Sequence, residues 1–161
     1  MRIAVVGDVH GHLALLYAIL GRWQRETGHS IHLILQVGDL GAFGPDSVLD
    51  RATVRHAQGD PEELGFAEFA RADPPATLLD PRPPLVFIPG NHEDFELLDH
   101  REAAAPNTAV YPITDDGLIL GLKSGRIWRF DHDGSGIRVA GVSGVAGRGH
   151  KKPMHGRVNL V

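Results

Sequence analysis

The chain has no cysteine in its 161 residues. Disulfides and thiolate metal sites are therefore excluded, and any metal must be held by His, Asp, Glu or Asn. Long hydrophobic runs are also missing. No segment nears the ~20 apolar residues of a membrane span, and the short run 3–7 before Asp8 is too brief for a secretory leader. A cytoplasmic protein without a membrane partner is the expectation. Acidic residues stop at Asp133, while Arg138, Arg148, Lys151, Lys152 and Arg157 follow. That end reads as a solvated basic tail or as a stretch that meets an anionic substrate. A net charge of −4 gives no reason to expect specific nucleic-acid binding. The 42% hydrophobic content supports one domain with a real core.

What is present is a repeated strand ending. Ile3–Val6 is a β-branched apolar run that predicts a strand buried on both faces. Leu13, Leu15, Leu16, Ile19, Leu20 and Trp23 recur at helical spacing, with Gly28 as a stop. "IHLILQVGD" (31–39) then repeats the first pattern, so the start is a βαβ unit with a parallel strand pair. Residues 41–84 form a loop-rich insertion, with one short helix expected around Glu62–Arg71 and five prolines within 73–84. "LVFIPGNHED" (85–94) is a third strand, and Phe95, Leu97 and Leu98 start a short helix. Beyond that the period turns toward hairpins. A Lys-Ser-Gly turn divides the apolar segments of 118–131, Asp131–Gly134 reads as a hairpin turn, and 136–144 is a last strand.

Three strands thus end in glycine plus a short oxygen-bearing side chain: Gly7-Asp8, Gly38-Asp39 and Gly90-Asn91. Two of the endings add an imidazole, His10 and His92. In an open α/β sheet, ligands bind beyond the carboxyl ends of the strands. Asp8 and His10, two apart on an extended segment, are expected to point the same way and share one ion. Carboxylate, imidazole and amide donors without sulfur suit Mn, Fe or Zn. A carboxylate on the middle strand, Asp39, is suited to offset the repulsion between two such ions.

Gly7-Asp8-Val9-His10-Gly11, Gly38-Asp39 and Gly90-Asn91-His92-Glu93 resemble the first three motifs of the calcineurin-like metallophosphoesterases. The resemblance implies an α/β/β/α sandwich and a centre of two divalent ions that hydrolyses phosphomonoesters, phosphodiesters or phosphoanhydrides. It also implies a phosphate-ester small molecule or a nucleotide as substrate. By its motifs, Asp8 and His10 bind the first ion, Asp39 bridges both, Asn91 binds the second, and His92 protonates the leaving alkoxide. Leu-Gly-Ala-Phe-Gly follows Asp39 where the serine/threonine protein phosphatases carry Val-Asp-Arg-Gly, so a protein phosphatase is not expected.

Family members add histidines from later strands. Here only His150 and His155 follow the last apolar strand, without strands leading into them, and the expectation is a domain incomplete at its carboxyl end. The alternative to an active enzyme is therefore a weakly metal-binding remnant. A nucleotide-binding loop is a poorer reading: Gly144-x4-Gly149 has the P-loop interval, but His150 stands where the lysine belongs.

Overall fold

The computed structural model describes residues 1–49, 51–71 and 82–144. Strands β1 (Ile3–Val6), β2 (Leu33–Gln36), β3 (Leu85–Phe87), β4 (Val110–Pro112) and β5 (Ile119–Leu122) form one sheet in the order β1-β2-β3-β5-β4. The pairs β1–β2, β2–β3 and β3–β5 are parallel, and β4 runs antiparallel on its edge. A second sheet is the antiparallel pair β6 (Ile127–His132) and β7 (Ser135–Ala140). The protein is a mixed α/β domain with a parallel βαβ start and a separate hairpin.

Alternation along the strands sorts the core into two. Ile34, Leu85, Phe87, Tyr111 and Ile119 face one way and pack with Leu13, Leu16 and Tyr17 of α1 (Leu13–Thr27), Phe66 of α3 (Gly65–Arg71) and Leu98 of α4 (Phe95–Ala103). Leu33, Val86 and Leu122 face the other way, against Trp128, Phe130 and Val139 of the second sheet. Helices therefore cover one face and the hairpin sheet the other.

Helix ends follow local chemistry. Gly28 closes α1 in a left-handed conformation, as its position predicts. Asp94 caps α4 by accepting the N–H of Glu96 and Leu97. At the other end of α4 the buried Lys123 ammonium donates to the carbonyl of Ala105 at 2.6 Å. A cation there meets the negative end of the helix dipole.

Several expectations are corrected. β1 is an edge strand, not buried on both faces: Val5 is 65% exposed, because the two-stranded sheet does not cover it. On α1, Leu15 and Ile19 are more than half exposed, so the inward stripe is Leu13, Leu16 and Tyr17. The insertion carries more helix than expected: α2 (Arg51–Gly59), a 3-10 helix (Pro61–Leu64) and α3. The Lys-Ser-Gly turn does not close a hairpin. It passes the chain from β5 in the first sheet to β6 in the second, while Gly121 of β5 pairs with Tyr111 of β4. The last strand stops at Ala140. The hairpin turn is Asp133-Gly134, with φ of 47° and 72° between the paired His132 and Ser135. Positive φ at both central residues is the two-residue turn that matches strand twist.

Candidate metal centre

The first two strand endings continue side by side past the sheet. Asp8 N–H donates to the Gly38 carbonyl (3.1 Å), His10 N–H to Asp39 (3.0 Å) and Gly11 N–H to Leu40 (2.8 Å). The third ending locks onto them through Asp39. Its Oδ1 accepts the N–H of Asn91 at 2.6 Å and of His92 at 2.9 Å. This approach demands glycine at position 90, where a β-carbon would lie 2.1 Å from Asp39 Oδ1 and 2.3 Å from Asp39 N. Gly90→Ala is expected to cost about 1–3 kcal/mol, the usual range for overpacking, read as a lower urea midpoint.

Asp8, His10 and Asp39 each offer a ligand atom, and these atoms lie within 4.8 Å of one another. The convergence does not come from extended alternation. All three residues sit in the left-handed region, with φ of 49°, 45° and 55°. Such backbone is uncommon for non-glycine residues and costs on the order of 1–3 kcal/mol each. Two carboxylates held this way repel one another unless a cation sits between them. The donor set fits a divalent transition ion: oxygen and nitrogen, no sulfur.

Asn91 is exposed and adjoins this group through its backbone bond to Asp39. His92 lies edge-on to His10, with ring centroids 4.8 Å apart. His12 is not in the cluster. Its Nδ1 lies 2.7 Å from the His10 carbonyl and its Nε2 3.1 Å from Asp60 Oδ2. Burial disfavours its charge, but the His10 carbonyl and Asp60 outweigh that and raise its pKa. His150 and His155 lie outside the described residues.

Two acids to which the sequence assigned no role belong to this region. Glu93, 6% exposed, accepts the N–H of Leu40 (2.9 Å), Ala42 (2.8 Å) and Gly90 (3.3 Å). It ties the second strand ending to the third. Burial pushes its carboxyl up to about 7, against the pull of those donors. Glu63, 7% exposed, comes from the 3-10 helix and stands between His10 and His92.

Beside the cluster lies a groove of about 700 Å³ whose lining includes Asp8, His10 and His92 together with Leu15 and Ile19 of α1. Its volume is that of a small-molecule site, about 300–1,000 Å³. Parallel strands that deliver acid and imidazole donors to one carboxyl edge define a metal-binding α/β protein. The family model of the calcineurin-like phosphoesterases matches residues 1–156, and the chain belongs to that family. Its members are generally hydrolases of phosphate esters that use divalent metals. No curated protein matches the sequence.

Proposed function

We propose that the chain hydrolyses phosphomonoester, phosphodiester or phosphoanhydride bonds at a centre of two divalent ions, with Mn, Fe or Zn as the metal. Asp8 and His10 hold the first ion, Asp39 bridges, and Asn91 holds the second. The observation that carries this reading is the gathering of Asp8, His10 and Asp39 donor atoms within 4.8 Å on strained backbone. When bound, such ions polarise phosphoryl oxygens and provide hydroxide near neutral pH.

The chain's own residues supply the rest. The groove admits the ester with its phosphoryl group toward Asp8, His10 and His92. Hydroxide, left when a water gives its proton to solvent, attacks phosphorus, the P–O bond to the leaving group breaks, and the departing oxygen takes a proton. His92 gives that proton. An imidazolium N–H is a competent proton donor to a departing oxygen. Its backbone N–H, held by Asp39, fixes the ring at the edge of the cluster.

Incubation with Mn and chromogenic monoesters and diesters tests the reading. Mn-dependent turnover is expected. His92→Ala should lower it about 100- to 10,000-fold, the usual worth of a general acid, with Mn binding retained by calorimetry. Turnover indifferent to Mn or to His92→Ala would sink the proposal. Absence of turnover, with Mn bound more weakly than about micromolar (about −8 kcal/mol), assigns the chain to the non-catalytic alternative.

A further inference from the structure

Glu63 sits 53 residues from His10 in sequence, yet its Oε1 lies 3.2 Å from His10 Nδ1 and 3.4 Å from His92 Nδ1. It is held there by backbone packing. Asp60 caps the 3-10 helix by accepting the Glu62 N–H, with Pro61 at its first turn. A β-carbon at Gly11, where φ is +77°, would strike the Glu63 carbonyl at 2.3 Å. Glycine at that position lets the helix rest on the first strand ending.

His10, Glu63 and His92 offer ligand atoms within 4.8 Å of one another, so they form a second group able to hold an ion. His10 belongs to both groups, and that decides between them. A neutral imidazole has one bare nitrogen and one N–H. If His10 gives its bare nitrogen to a cation beside Asp8 and Asp39, its other nitrogen carries hydrogen and needs an acceptor. Glu63 Oε1 is at Nδ1, which leaves Nε2 for the cation. Metal-binding histidines commonly donate their second N–H to a carboxylate in this way. The Nδ1 of His92 is buried and makes no hydrogen bond among the described residues, and Glu63 Oε1 stands 3.4 Å from it, a few tenths of an ångström beyond a good bond. A carboxylate oxygen has room for both donors.

The geometry points to Glu63 as the positioning residue of the site: one buried carboxylate oxygen keeps a proton on Nδ1 of His10 and of His92, so that both rings present Nε2 outward, bare toward the cation in His10 and, when His92 carries its second proton, as the donor toward the leaving group. The His92 half of this rests on the phosphoesterase reading above. The His10 half needs only a metal at Asp8, His10 and Asp39. Glu63 then acts through other residues and touches neither ion nor substrate.

Nitrogen-15 chemical shifts of the imidazoles, followed on the full metal-free chain as pH is raised until they stop changing, report the tautomers of the neutral rings directly. Calorimetry with Mn reports affinity. The wild type is expected to show the Nδ1–H form at both rings. Glu63→Leu, which keeps an apolar side chain in the buried position, should mix the tautomers and weaken Mn about 10- to 100-fold. Glu63→Gln retains an acceptor oxygen and should keep the tautomers and most of the affinity. Unchanged tautomers and affinity in a folded Glu63→Leu protein would overturn the inference. So would loss of a whole equivalent of Mn in both variants, which would make Glu63 a ligand. Neither readout depends on turnover, so an inactive wild type would sink the phosphoesterase reading and leave this test standing.

Discussion

Asp39→Asn is expected to remove Mn-dependent hydrolysis and to weaken Mn binding by about 100-fold or more, while the metal-free protein stays folded. The two halves of this outcome have separate causes. An asparagine Oδ1 can still accept the N–H of Asn91 and His92, so the third strand ending keeps its seat. What disappears is one negative charge among the donors. Two unit charges at 4 Å interact by about 4 kcal/mol at an effective dielectric of 20, and 1.4 kcal/mol is a factor of ten in affinity. In the metal-free protein the same change relieves repulsion between Asp39 and Asp8, so stability should hold or rise slightly. Thermal unfolding with and without Mn separates these effects: the wild type gains stability on adding the ion, and the variant does not. Equal Mn affinity in both proteins would remove Asp39 from the centre.

The strand endings were legible because they are local. Gly7-Asp8, Gly38-Asp39 and Gly90-Asn91 follow apolar runs, and sheet topology places such endings together whatever lies between them. The conformation at those endings was not legible. Spacing alone favoured an extended Asp8-x-His10, whereas the backbone turns left-handed at Asp8, His10 and Asp39. Pairing of 8–11 with 38–40 imposes that turn, and pairing is tertiary. Exposure of Val5 escaped notice for a related reason: an apolar β-branched run looks the same on an edge strand as in a sheet centre.

Glu63 was hidden by distance. It lies in a segment whose glycine, proline and charged residues read as an excursion from the sheet. The available signal was Asp60-Pro61-Glu62-Glu63, a cap and a proline marking a helix start just before the apolar Leu64, Phe66 and Phe69. That signal predicts an element, not its docking on Gly11. Glu93, by contrast, stood inside a recognised motif, but nothing local shows that its carboxylate serves the backbone of another loop.

Glu93→Ala is expected to cost about 3–5 kcal/mol, a large part of the ~5–15 kcal/mol that keeps a domain folded. Two buried N–H donors, on Leu40 and Ala42, and a half-buried one on Gly90 lose their acceptor at once. Each such orphan costs about 1–3 kcal/mol, less in sum where water can enter. Because Leu40 follows Asp39 and Gly90 precedes Asn91, the same loss should loosen the two residues proposed as metal donors and take Mn affinity down with stability. The pH dependence carries a distinct sign. The carboxyl is raised from an ordinary 4.5 to about 7 by burial. Between those values the folded state holds a proton that the unfolded chain releases. Stability from this group is therefore lost as pH rises across the window, by about 3 kcal/mol at 1.36 kcal/mol per unit. It is level above about 7 and again below about 4.5. Glu93→Gln removes the titrating group, so the wild-type minus Gln difference in urea stability should fall from pH 4.5 to 7 and then level. A difference that rises across that window would mean the three donors outweigh burial, and an unchanged urea midpoint in Glu93→Ala would mean the second and third strand endings are held together by something other than this carboxylate.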